Sequence, residues 1–239
     1  MTKVYAAIVA GGIGQRMQAD KPKQFLNVAG KPVICHTIDK FLSVSEICEV
    51  IVLLPKDWLD YMKEEMVPFI AGDTGKLKLI EGGKTRQDTV MNAVSYVEET
   101  YGIGEDDVIL THDAVRPMVS ERIIKDNISG VKKYGACSTF IQATDTIVVS
   151  EDGKVLGETL DRSKLYQCQT PQSFNIAKLK KYYEMLDDED KKILTDATYV
   201  FKKAGEDVHF IEGDVRNIKI TYPTDTLVAE VFLTQSEHK

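Results

Sequence analysis

The sequence predicts an α/β fold, with a mostly parallel central sheet flanked by helices. Three observations carry this. The N-terminal apolar run Val4-Tyr5-Ala6-Ala7-Ile8-Val9-Ala10 has the length of a buried strand and passes directly into Gly11-Gly12-Ile13-Gly14. Further short apolar runs alternate with stretches whose apolar residues recur at helical spacing, which is the order of βα units. Polar loops follow the runs ending near residues 10, 80 and 110, where a doubly wound sheet would gather them at its carboxyl edge.

The first loop sets the theme. Its glycines leave backbone N–H groups unobstructed, and Arg16, Lys21 and Lys23 stand close behind them. All three cations can point at one bound phosphate chain, so the loop reads as a nucleoside triphosphate site; a tight turn with surface lysines would not need them. A dinucleotide fingerprint requires a third small residue where Met17 stands and an acidic end to the second strand, which instead ends in Pro55. Gly83-Lys84-Thr85 imitates the end of a Walker A loop, but Lys78 occupies the position of its first glycine.

Residues 32–41 have helical spacing, 50–54 form a second apolar strand, and 77–80 a short third one. Between them Trp58, Tyr61, Met62 and Met66 recur at three and four positions, which reads the single tryptophan as packing. Thr85 followed three residues later by Asp88 resembles a capping arrangement, placing Gly82, Gly83 and Arg86 at the N-terminus of a helix whose apolar face is Val90, Ala93, Val94 and Val97. Val108-Ile109-Leu110 is a central strand leading to Asp113, a carboxylate placed to hold Mg²⁺ or a ribose. His112, with no second His or Cys beside it, reads as structural, and Ser120 caps the next helix. Residues 144–149 and 154–160 flank the turn at Glu151-Asp152-Gly153 as a β-hairpin whose edges need a partner, a candidate dimerisation arm over about 141–165. Two helical patterns follow, around residues 176–186 and 193–201, the second stopped by Gly205, and the chain closes with a helix from Thr224.

Composition narrows the class. With 239 residues, 43% hydrophobic and 28% charged, the chain has material for one extended core, and one domain over 1–239 with an arm is the economical reading. A net charge of −7, with lysines alternating with acids on the expected helices, disfavours nucleic acid, so an anionic ligand needs a local basic pocket. No run approaches the ~20 apolar residues of a membrane span and no signal peptide is apparent, so a cytoplasmic protein is expected. Cys35, Cys48, Cys137 and Cys168 are scattered and form no metal or redox motif.

Taken together and in order, Ala10-Gly11-Gly12 with Arg16-Met17, Pro22-Lys23-Gln24, Gly82-Gly83 with Arg86, His112-Asp113-Ala114 with Arg116-Pro117, Thr170-Pro171-Gln172, Thr195-Asp196 and residues 217–221 resemble the cytidylyltransferases acting on sugar-alcohol phosphates. Two close families share these motifs, one acting on 2-C-methyl-D-erythritol 4-phosphate and one on D-ribitol 5-phosphate in teichoic acid synthesis. Val115, where the methylerythritol enzymes usually carry a second alanine, and Asp88-Thr89 with Asn92 lean toward the ribitol family. Met118 and Cys168 depart from it, where phenylalanine and glycine are frequent.

The resemblance implies a Rossmann-like nucleotidyltransferase fold, CTP as donor, Mg²⁺ bridging its phosphates with Asp113 as a helper, and a homodimer joined by the arm. It implies that Arg16 and Lys23 stabilise charge on the α-phosphate, and that Lys219 and Arg162, the latter from the partner's arm, hold the acceptor phosphate. Substrate contacts are expected from Val9, Ala10, Gly11 and Gly12, from Gly82 through Lys84, Thr85, Arg86, Gln87, Asp88 and Thr89, and from Thr146, Thr170 and Thr195. Thr89 and backbone groups would read cytosine. The ribitol reading further implies association with a ribulose-5-phosphate reductase.

Overall fold

In chain order the elements are β1 (Val4–Val9), β2 (Asn27–Val28), β3 (Lys31–Pro32), α1 (Val33–Leu42), β4 (Glu49–Leu54), α2 (Leu59–Tyr61), β5 (Leu77–Glu81), α3 (Arg86–Tyr101), β6 (Val108–Asp113), α4 (Glu121–Tyr134), β7 (Ala136–Gln142), β8 (Tyr166–Asn175), α5 (Ile176–Glu184), α6 (Asp188–Ile193), α7 (Thr198–Lys203), β9 (His209–Glu212) and α8 (Pro223–Gln235). The computed structural model describes residues 2–12, 21–194 and 196–235. The main sheet has seven strands in the order β5-β4-β1-β6-β8-β7-β9. Strands β5, β4, β1 and β6 are parallel, β8 runs antiparallel to β6 and β7, and β9 is parallel to β7.

Strand β1 shows why the parallel half is so apolar. Its even residues Val4, Ala6 and Ile8 pack with Ile34, Ile38 and Phe41 of α1 and with Ile123 and Ile128 of α4. Tyr5 and Ala7 face the opposite side, with Val90, Val94 and Val97 of α3 and Phe201 of α7. Each face of the sheet is thus covered by helices, and both parities of the strand must be hydrophobic. A third, smaller cluster joins Val28, Val33, Val115, Ile220 and Ala229, seating the segment just before α8 against the carboxyl edge of the sheet.

Several details differ from the sequence expectations. Strands β7 and β8 are long and pair across a register shift between Ser138 and Phe140, whereas the sequence predicts only a hairpin in this stretch. The hairpin itself is reduced to one isolated bridge, Val148 with Thr159, and a few bonds such as Val149 N–H to Glu158 O and Leu160 N–H to Ile147 O. A two-stranded ribbon with no covering layer gains too little to form a full ladder, and Val155 and Leu156 in it are each 68% exposed. The helical pattern beginning at residue 193 divides, because Asp187 caps α6 and Asp196 accepts from the Thr198 N–H to start α7.

The reading of the tryptophan as packing holds. Trp58 packs against Phe25 and Tyr61. Cys35 and Cys137 are buried, and desolvation pushes both thiols up to about 12, as suits structural residues. Among the described residues no helix is long and apolar enough to cross a membrane.

Candidate active site

The parallel strands all deliver their carboxyl ends to one edge of the sheet. Because β4 and β5 lie to one side of β1 and β6 to the other, the chain changes direction between β1 and β6, and Val9 and Asp113 are register partners there. Such a switch point leaves a crevice between diverging loops. A cavity of about 700 Å³ occupies it. Among the described residues its lining includes four cations, Lys23, Lys84, Arg86 and Lys219, against one carboxylate, Asp113. This is the local basic pocket that an acidic protein needs to hold a polyanion.

Each wall has its own physical cause. On the first, Val9, Ala10, Gly11 and Gly12 line the cavity, and a Cβ on either glycine would meet no described atom within 4 Å, so the space above the loop is open. Gln24 secures that loop by donating from Nε2 to Ala10 O at 2.8 Å. Lys23, buried on the turn Lys23–Phe25, donates from Nζ to Ile220 O at 2.8 Å.

The second wall is the start of α3. Thr85 Oγ1 accepts from Asp88 N–H at 3.0 Å and Asp88 accepts from Thr85 N–H at 3.1 Å, the capping box that the sequence suggested. Thr89 Oγ1 accepts from Gly83 N–H and donates to Thr85 O. A Cβ on Gly83 would lie 2.2 Å from Asp88 Cβ, so this turn admits only glycine. The Thr89 hydroxyl thus shapes the turn, and Thr89 also lines the cavity. Asp88, committed to the cap, does not line the cavity, and neither do Gly82 or the buried Gln87.

The third wall is β6 and its loop. Burial alone would raise the Asp113 pKa, but Arg86, Lys219 and Arg116 outweigh it and hold the carboxylate well below its ordinary range. Lys219 Nζ lies 2.9 Å from Asp113 Oδ2, while Arg86 and Arg116 approach to 3.6 Å. Among the described residues no three His, Cys, Asp or Glu converge on a metal position. Asp113 is a carboxylate shared by three cations, a donor set that suits a helper to Mg²⁺ where phosphates supply most ligands.

His112 is structural, as expected. It is fully buried, and desolvation pushes its pKa down to about 3. The hydrogen-bond pattern assigns its tautomer: Thr170 Oγ1 accepts from Asp113 N–H and faces His112 Nδ1, leaving Nε2 to donate to Arg116 O. Thr170 is correspondingly buried in this chain of bonds and is not a lining residue.

Arg162 and Thr146 stand apart. Both are exposed on the arm, outside the cavity of their own chain, and Arg162 donates from Nη1 to Thr144 O. Arg16 and Thr195 fall outside the described residues. Conversely, Gln24, Ala114, Val115 and Thr221 line the cavity without having been singled out as site residues. Each sits inside a motif that the sequence reading had quoted, so the motif carried the signal although no chemistry of the isolated side chain did.

Fold and pocket define a nucleotidyltransferase. The chain belongs to the 2-C-methyl-D-erythritol 4-phosphate cytidylyltransferase (IspD) family, whose model matches residues 4–235. Its structure is similar to that of the 4-diphosphocytidyl-2C-methyl-D-erythritol synthase of Anaerococcus prevotii DSM 20548, with 27% identity, a TM-score of 0.77 and coverage of 98% of this chain and 96% of that one. A second solved 4-diphosphocytidyl-2C-methyl-D-erythritol synthase gives 26% identity, TM-score 0.79 and coverage of 98% and 100%. The 2-C-methyl-D-erythritol 4-phosphate cytidylyltransferase of Francisella tularensis gives 26%, 0.79, and 96% and 99%. The cytidylyltransferase expectation is met, and on the acceptor these matches favour methylerythritol phosphate over ribitol phosphate.

Proposed function

We propose that the chain transfers the cytidylyl group of CTP to the phosphate of a short polyol phosphate, with 2-C-methyl-D-erythritol 4-phosphate as the acceptor that its family and structural neighbours support. One observation carries the reading of the site. Lys23, from the first loop, and Lys219, from the far end of the chain, meet in one pocket because Lys23 Nζ bonds the carbonyl of Ile220, the residue next to Lys219.

The acceptor phosphate is already anionic at neutral pH, so its oxygen attacks the α-phosphorus of CTP without a general base, and diphosphate leaves from the opposite side. What the protein must supply is position and positive charge. Lys23, with Arg16, neutralises the charge that grows on the α-phosphate, while Lys219 holds the acceptor phosphate. Gly83, Lys84 and the start of α3 take the nucleotide. Mg²⁺ would ride on the triphosphate near Asp113 and add charge neutralisation there.

The exposed arm supports a two-fold dimer in which Arg162 and Thr146 of one chain complete the pocket of the other. A ribitol 5-phosphate acceptor is the second reading. It is favoured by Val115, which lines the cavity and can alter the space offered to the polyol. Association with a ribulose-5-phosphate reductase belongs to that reading alone.

A diphosphate-release assay with CTP and each acceptor separates the two. Higher kcat/KM with methylerythritol phosphate is the expected result. Higher kcat/KM with ribitol 5-phosphate assigns the second reading, and release with neither acceptor contradicts transfer to polyol phosphates.

A further inference from the structure

Arg116 is a buried guanidinium that does not line the cavity. A charge in that position is costly unless something compensates it, and here it lies between two acceptors. Its Nη1 donates to Asn217 O at 2.7 Å, and its Nε is 3.6 Å from Asp113 Oδ2. That same Oδ2 faces Lys219 Nζ at 2.9 Å. Arg116 therefore touches both features that place Lys219: the carboxylate paired with its ammonium, and the backbone two residues upstream of it.

Simple neutralisation of Asp113 does not explain the arrangement, since Arg86 and Lys219 already supply two cations to that carboxylate. What Arg116 adds is the tie to the segment bearing Lys219. Other ties hold this segment at different points: Asn217 Nδ2 donates to Thr170 O and Gln169 Oε1, and Ile220 N–H donates to Val115 O. Arg116 alone among these joins the backbone of the segment to the partner of the lysine ammonium.

The inference that follows is that Arg116 is a positioning residue, which fixes Lys219 against the acceptor phosphate by way of Asp113 and the Asn217 carbonyl. It rests on the functional reading in which Lys219 grips that phosphate.

The test is a double-mutant cycle of Arg116→Gln and Lys219→Gln, with steady-state kinetics on CTP and the better of the two acceptors. Arg116→Gln should raise the acceptor KM by about 10- to 100-fold, the range for losing a hydrogen bond that involves a charged group, and leave the CTP KM within about twofold. Added to Lys219→Gln, it should change the acceptor KM by less than about twofold, because the lysine through which it acts is gone.

Effects that multiply in the double variant overturn the proposal, as does an equal rise in the KM of both substrates, which is what a merely structural role gives. Lys219→Gln with an unchanged acceptor KM overturns the functional reading along with it. A Lys219 effect without an Arg116 effect overturns the positioning role alone. Should Arg116→Gln fail to fold, Arg116→Lys carries the same cycle: its single ammonium keeps the charge but cannot reach both partners, so a smaller rise confined to the acceptor KM is expected, and none overturns the proposal.

Discussion

At the scale of the residue, the pocket distributes its cations by what holds each one. Lys23 is buried and oriented by the Ile220 carbonyl, so its ammonium is fixed before any ligand arrives. Preorganised charge of this kind acts on the transition state more than on ground-state binding. Lys23→Ala should therefore lower kcat by about 10²- to 10³-fold with a smaller effect on the CTP KM, measured by steady-state diphosphate release. A rise in CTP KM at unchanged kcat would reduce Lys23 to a binding group. Its place in the pocket was legible in the sequence from the cations behind the glycine loop. The tie to Ile220 was not, because no local pattern announces a contact between residues at the two ends of the chain.

At the scale of the element, legibility followed burial chemistry. The strands β1 and β4 and the first half of β6, Val108 to Leu110, are apolar and could be read directly, as could the capped helices α3 and α4. Strands β7 and β8 escaped because much of what they bury is polar: Ser138, Thr139, Gln172 and Ser173 are all buried. Burial of Thr139 and Ser173 is tolerated through partners on other elements. Asn127 of α4 donates to Thr139 Oγ1 and accepts from Ser173 Oγ, while Thr139 donates to Pro171 O. Such bonds depend on the tertiary fold, and a polar strand in isolation has the composition of a loop.

The N-terminus of α3 carries the prediction at this scale. Thr85→Ala removes the oxygen that accepts from Asp88 N–H, and should cost about 1 kcal/mol in urea unfolding with an unchanged slope. Because the cap also shapes the nucleotide wall, the CTP KM should rise in the same variant. An unchanged unfolding midpoint would show that the Gly83–Thr89 bonds hold the turn unaided.

At the scale of the whole molecule, the arm is the feature that one chain leaves unexplained. It keeps apolar side chains such as Val155 and Leu156 in solvent and carries Arg162 away from its own pocket. The proposed two-fold pairing would account for both, and it sets a demand on mixtures. Lys23→Ala and Arg162→Ala chains, each nearly inactive alone, should regain activity when refolded together. In a mixed dimer one site collects both defects and the other none, so up to about half of the heterodimer's sites should work. Heterodimers as inactive as their parents would place Arg162's action within its own chain.

The central claim, that a cation-lined pocket at the switch point joins CTP to a polyol phosphate, has a direct readout in phosphorus NMR of the complete reaction. With CTP, Mg²⁺ and the acceptor, the account predicts that the acceptor's phosphate monoester signal is lost, while two coupled resonances of a P–O–P phosphoanhydride and the signal of free diphosphate appear in equal molar amounts. Formation of CMP and diphosphate with the acceptor monoester untouched would show that water, not the polyol phosphate, is the nucleophile, and would contradict it.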